Sequence, residues 1–394
     1  TRRSKKRILN IFLLKKFFNF SKKGDNMKIE TLRKILDKAY QNQKAVCLIG
    51  DFGIGKSQIV YEWAEKKAKE ENRELVLWHT LSEEQKINIL KNPEKYFILV
   101  DIKLQSVGDP SKISGIPIII NGDGTHKIVW EPPLFLKVLT SSQAKGVLFL
   151  DEINMALPSL QSLAFEITLQ RKVGEWKISD NVLIVSAGNP LDVNISANPI
   201  PKPLINRLLF IKLEGFEVED WIRWATKKGI DTRIIAFAQA FRELKKDGEE
   251  EFEQSTRPRS YELLSDMIKD TDDLEFIRVC ALGYLHETTA NKFIKFIQLM
   301  HKLDYKKYIE NPEEFTKLTN EEKYALITLV AKHTKEIKQE ELIKFIEFIA
   351  NDTVELSAVL LNLIYVEMGE KTARKIVEKL STKIANRLLE IIVW

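Results

Sequence analysis

The sequence predicts an α/β fold, a parallel sheet with helices on both faces, followed by an all-helical region. Three observations predict it. Apolar runs alternate with helical periods up to about residue 214, the pattern of a parallel sheet covered on both sides. Several of those runs end in short glycine-rich or polar strings, at the strand ends where open α/β sheets bind ligands. From Phe216 onward strand patterns nearly vanish and helical ones dominate. A length of 394 residues, at about 150 per domain, gives two to three domains.

The chain opens with TRRSKKRILNIFLLKKFFNFSKKGDN. Nine basic residues, from Arg2 to Lys23, face one acidic residue, Asp25, so residues 1–26 hold +8 of a net +5 and the rest holds −3. The apolar centre is short, Lys15-Lys16 interrupts it, and no small-residue cleavage site follows, unlike a secretory signal. One reading is a basic amphipathic membrane-surface helix with Phe12, Phe17, Phe18 and Phe20 on its apolar side. The favoured reading is an extension outside the working protein, not native or disordered, with the first domain starting at Met27.

Residues 28–44 read as a helix through Ile29, Leu32, Ile35, Leu36 and Ala39. A buried strand over 45–49 follows, then a helix from Gln58 to about Lys69, a short strand over 75–79 and a short helix over 83–90. Asn92-Pro93 marks a turn into a second strong strand, 96–104. Residues 116–120 and 126–130 flank Asn121-Gly122-Asp123-Gly124, a hairpin signal. A helix over 132–141 carries Pro in its first turn. Next come a strand over 146–154, a helix over 158–170, a short basic ribbon over 171–179, a strand over 181–190, and a proline-rich link into a strand over 204–213. The remaining helices are expected over 218–227, 232–244, 260–269, 274–285, 289–303, 320–334, 339–349, 354–367 and 371–394. A softer boundary near 305 precedes Asn311-Pro312.

The chemistry starts at Gly50-Asp51-Phe52-Gly53-Ile54-Gly55-Lys56-Ser57, which matches the phosphate-binding P-loop G-x-x-x-x-G-K-[ST] between a strand and a helix. The glycines let backbone N–H groups close on phosphate oxygens, and the helix that starts beyond them, with Gln58 in its first turn, adds its positive end. Lys56 would reach the β- and γ-phosphates of ATP, and Ser57 would place a hydroxyl on Mg²⁺. Val147-Leu148-Phe149-Leu150-Asp151-Glu152 is a Walker B signature. Asp151 would join Ser57 in the Mg²⁺ shell, and Glu152 would polarise the attacking water. Asn189, in AGNP at the end of the next strand, can orient that water without competing for its proton. Arg207 sits between prolines and an apolar strand; it reads as an arginine finger or as a surface arginine in a salt bridge. Arg259 and Arg257 flank Pro258 at a helix start, and either could report the nucleotide state to the helical region. Arg259 is preferred.

These strings, GDFGIGKSQIV, LFLDEIN, AGNP, PLINRL and Pro258-Arg259, occur in the order of the AAA+ ATPases, and the chain resembles the MoxR-like branch. Relatives there show Arg-Leu-Ser-Gln, then Asp-Pro and Gly-Ile-Pro, before Walker B. Here the stretch reads Lys103-Leu104-Gln105-Ser106, Asp109-Pro110 and Gly115-Ile116-Pro117. Trp130-Glu131-Pro132-Pro133 and Asp220-Trp221 with Trp224-Ala225 are similar to that branch too. Lys103 stands where relatives often carry Arg, and Lys112-Ile113-Ser114-Gly115 replaces Asp-Leu-Arg-Gly. The likeness covers roughly 28–300 and the rest only loosely. It implies an AAA+ ATPase domain over 27–214, a helical lid over 215–305 and a C-terminal helical region over 306–394. It also implies a homo-oligomeric ring, a hexamer, with nucleotide between subunits and Arg207 completing the neighbour's site. The hairpin over 115–130 resembles the family's helix-2 insert and 171–179 the hairpin before sensor 1, both facing the pore or a client. MoxR-like proteins are chaperone-like remodellers, often of a von Willebrand factor A-type partner.

A nucleic-acid-directed AAA+ motor or loader is the alternative, resting on the +8 extension and the basic ribbon. Against it, the remainder at −3 offers no basic face, helix-turn-helix or zinc module. A nucleotide switch with little turnover is the third reading, and Glu152 argues against it. Cys47 and Cys280 lie far apart with no metal or disulfide spacing, which suits a reducing cytoplasm. No apolar run is long enough to span a bilayer.

Overall fold

The computed structural model describes residues 28–122, 125–190, 198–200, 205–206, 208–213, 215, 217–248 and 253–394. The expected extension over 1–26 and Arg207 lie outside them. The chain divides into two compact units, Thr1–Phe216 and Glu217–Trp394.

The first unit begins with helix α1 (Ile29–Gln41), strand β1 (Val46–Gly50) and helix α2 (Lys56–Glu70). Strand β2 (Glu74–Leu77), helix α3 (Glu83–Lys91) and strand β3 (Tyr96–Lys103) follow. Ser82 and Gln85 close a reciprocal capping box that starts α3. After two short helical turns, β4 (Ile116–Gly122) and β5 (Thr125–Glu131) pair antiparallel as the expected hairpin, Ile119 opposite Ile128. Helix α4 (Leu134–Leu139), strand β6 (Lys145–Asp151) and helix α5 (Pro158–Gln170) come next. The basic ribbon is a small antiparallel pair, β7 (Lys172–Val173) and β8 (Trp176–Lys177), before β9 (Val182–Gly188) and β10 (Leu209–Leu213).

Among the described residues one six-stranded sheet has the order β10-β1-β9-β6-β3-β2, and every pairing in it is parallel. The apolar strings explain why. Alternate residues of β1, β3, β6 and β9 enter two separate cores, one on each face. Val46, Leu48, Phe97, Leu99, Val147, Phe149, Leu183 and Val185 pack with Leu32, Leu36, Ile59 and Trp63 of α1 and α2. Cys47, Ile98, Leu148, Leu150 and Ile184 pack with Leu136 and Leu160 on the other face. Each such buried aliphatic or aromatic side chain contributes about 1.5–3 kcal/mol. A strand buried on both faces reads as a continuous apolar run, as these do. This is the fold class the sequence predicts, a parallel α/β sheet with helices on both faces and a helical region beyond it.

The second unit is helical: α6 (Val218–Lys228), α7 (Thr232–Phe241), α8 (Pro258–Ile268), α9 (Leu274–Tyr284), α10 (Glu287–Lys302), α11 (Tyr305–Glu310), α12 (Asn320–Lys332), α13 (Gln339–Asp352) and α14 (Val354–Met368). Its apolar core runs continuously from Trp221 to Leu388. Helix α14 is buried from Leu356 through Ile364, as an apolar helix at the centre of a bundle must be. One expected helix, 371–394, is corrected. It is two helices, α15 (Glu370–Val377) and α16 (Thr382–Leu389), separated at Leu380-Ser381. Leu380 turns into the core, and the Ser381 N–H donates to Glu347 Oε1 at 2.7 Å. Trp394 then stacks on Tyr365, 5.3 Å between ring centres.

Candidate functional site

The C-terminal ends of β1, β6 and β9 lie side by side, because β9 pairs with both β1 and β6. The P-loop leaves β1, Asp151 ends β6, and Asn189 follows β9 directly. Gly53 and Gly55 have φ of 67° and 97°, and Gly55 is the N-cap of α2. A side chain there would be strained, so the loop's tight turn into the helix needs glycine. Ile54, between them, is buried in the α1–α2 core and anchors the loop from below. Phe52 is exposed, while Asp51 is buried and its Oδ1 accepts the Phe52 N–H at 2.8 Å. Gln58 is exposed and donates to Glu62 Oε1 at 3.2 Å.

Lys56 is buried at 8% exposure. Its Nζ donates to the Gly50 carbonyl at 2.7 Å, the Asp51 carbonyl at 2.8 Å and Asn189 Oδ1 at 2.9 Å. Those are all three donors an ammonium has. Burial pushes it down from 10.5 to about 8, against the opposing pull of Asp151, Asp51 and Glu152. Ser57 Oγ donates to Asp151 Oδ2 at 3.0 Å. Hydroxyl and ammonium from 56–57, the Asp151 carboxylate and the Asn189 amide therefore converge from three segments far apart in sequence. Glu152 follows Asp151 at a φ of 57°, and its N–H donates to Asp151 Oδ1 at 2.9 Å. A left-handed glutamate is uncommon and marks backbone held by its surroundings.

Asn154 is the residue that sequence reasoning missed. It is 2% exposed. Its Nδ2 donates to the Asn189 carbonyl at 2.6 Å, and its Oδ1 accepts the Asn189 N–H at 3.0 Å. A Cβ on Gly188 would stand 2.6 Å from that Oδ1, so glycine is what lets Asn154 approach. A relay from Asn154 to Asn189 to Lys56 thus fixes the amide of Asn189 at the P-loop. The available signal was a polar residue two positions past the Walker B tip, paired with a glycine before Asn189.

The two arginines of the helical unit separate. Arg257 is 2% exposed; it donates to the Lys246 carbonyl at 3.1 Å and the Thr256 carbonyl at 2.8 Å, and it pairs with Asp247. Arg259, in the first turn of α8, is exposed. Arg257→Ala is expected to lower stability by about 1–3 kcal/mol by leaving those carbonyls unpaired, with Arg259→Ala near neutral; thermal unfolding of both variants checks this.

No family model matches the chain, and no curated relative matches it. Among solved structures it is similar to PCH-2 of C. elegans, at 10% identity and a TM-score of 0.32 over 70% of this chain and 68% of that one. Aeropyrum pernix ORC2 follows at 14% identity and 0.29 over 94% and 97%. A RuvB mutant of Thermotoga maritima stands at 13% and 0.27 over 91% and 85%. At this distance the chemistry rests on the site's own residues.

Proposed function

We propose that the chain is an ATPase of the AAA+ kind that uses ATP to remodel partner proteins. The observation that carries the ATPase reading is the convergence of Lys56, Ser57, Asp151 and Asn189 through the 2.9 Å and 3.0 Å contacts. A hydroxyl touching a carboxylate is a hard-oxygen donor pair, which suits Mg²⁺. Bound there, Mg²⁺ would neutralise charge between the β- and γ-phosphates. The chain's own residues do the rest. The P-loop N–H groups and the start of α2 bind the phosphates, and Lys56 spreads its charge over their outer oxygens. Asn189, held by Asn154, orients water. Glu152 accepts the proton from that water as it attacks the γ-phosphorus and the bond to the β–γ bridging oxygen breaks, releasing ADP.

The remodelling reading draws support from the hairpin. Exposed apolar side chains stand on both faces of it, Ile119, Ile128 and Trp130 on one and Ile116 and Ile120 on the other, and exposed apolar surface is the kind that engages other proteins. The ribbon that favoured nucleic acid loses its first cation, because Arg171 is turned onto the carbonyls of Ser179 at 2.7 Å and Val182 at 2.6 Å. No helix among the described residues is long and apolar enough to cross a membrane. A hexameric ring, cytoplasmic placement and a von Willebrand factor A-type client complete the proposal by resemblance, as does Arg207 acting on the neighbouring subunit. The test of the shared site mixes Arg207→Ala with Lys56→Ala subunits. Mixed rings are expected to regain phosphate release that neither variant shows alone, and mixed rings without rescue would refute the shared site.

A further inference from the structure

We propose that Asp101, oriented by Tyr61, is a positioning residue of the divalent-cation corner and receives a cation-bound water on its second oxygen. The inference rests on the ATPase reading above and deepens it. Asp101 Oδ2 accepts the Tyr61 hydroxyl at 2.6 Å. Its Oδ1 is buried and has no hydrogen-bond partner. A buried carboxylate oxygen is costly to leave unsatisfied, and an ion or ordered water is a standard remedy.

The surroundings say which. Ser57 and Tyr61 are four residues apart on α2 and so share a face, about 6 Å apart along the axis. Each offers a hydroxyl to a carboxylate, Ser57 to Asp151 and Tyr61 to Asp101. The two carboxylates come from neighbouring strands. Asp101 lies opposite Phe149 and Lys103 opposite Asp151, so Asp101 stands two residues back from Asp151 on the same sheet face. Strand spacing puts their backbones about 8 Å apart. Mg²⁺ binds at about 2.0–2.1 Å and keeps several waters, and a bound water extends its reach by one hydrogen bond, about 2.7 Å.

The charges agree. Burial raises the Asp101 carboxyl and Asp151 adds to the rise, while Tyr61, Lys103 and His79 oppose it. Burial and Asp101 also hold the Tyr61 phenol well above its ordinary range, so it stays a donor. A cation between the carboxylates relieves their mutual repulsion.

The test uses Mn²⁺ as the probe, titrated by electron paramagnetic resonance into the ADP complex of the full chain, with ADP affinity measured separately in EDTA. Asp101→Asn keeps the shape and removes the charge. It is expected to weaken Mn²⁺ binding about tenfold or more, as residues behind metal ligands typically do, and to leave ADP affinity in EDTA unchanged. Asp101→Glu should restore part of the loss. Tyr61→Phe, which removes only the orienting hydroxyl, should weaken Mn²⁺ less than Asp101→Asn and serves if that variant does not fold. Unchanged Mn²⁺ affinity in folded Asp101→Asn, or an equal loss of ADP affinity in EDTA, overturns the proposal. A wild type that binds no ADP at all overturns the ATPase reading as well.

Discussion

Glu152→Gln is expected to bind ATP as the wild type does and to release phosphate about 10²–10⁴-fold more slowly, the usual contribution of a positioned general base. The substitution keeps length and shape and removes only the charged oxygen. Glu152 sits directly beyond the Walker B aspartate, in a left-handed backbone tied by its N–H to Asp151 Oδ1. That tie is made by the main chain, so Gln at 152 should leave Asp151 and its contact with Ser57 undisturbed. The expected signature is a loss in kcat at constant ATP occupancy. Unchanged turnover would move the base to another residue.

Lys56→Ala is expected to weaken ATP binding by about 10²–10⁴-fold. Two charge-assisted bonds to phosphate oxygens at about 1.5–3 kcal/mol each add to that range. Equilibrium binding of a labelled ATP analogue measures it, and wild-type affinity would refute the loop's role. The folded value of Lys56, about 8, lies below its ordinary 10.5 because of burial. The charged ammonium is therefore a cost to the fold, full below about pH 8 and lost as pH rises to 10.5. Lys56→Ala removes that cost but leaves the Gly50 and Asp51 carbonyls and Asn189 Oδ1 without their donor, so the two effects oppose each other and thermal unfolding at pH 7 checks that the variant is folded.

The fold class was legible because each part of it is written locally. A doubly buried strand must be apolar throughout, as 147–150 is, and a phosphate loop must place its glycines and lysine within eight residues. The rest depends on pairings between distant positions. Asn154 meets Asn189 across 35 residues, and Tyr61 meets Asp101 across 40. Neither residue type is unusual where it stands, so only the sheet order makes the pairs. That Arg257 is buried against Asp247 while Arg259 is exposed is likewise something an arginine at a helix start does not announce. The 371–394 stretch failed differently. Its apolar period carries through Leu380, and the break comes from a backbone N–H finding Glu347 on another helix.

The most direct measurement of the central claim is phosphate release by the wild-type chain with ATP and Mg²⁺, beside Glu152→Gln, with ATP occupancy measured in both. The account predicts equal occupancy, with release in the wild type and its loss in the variant. A wild type that binds no ATP, or a variant that releases phosphate at the wild-type rate, would contradict it.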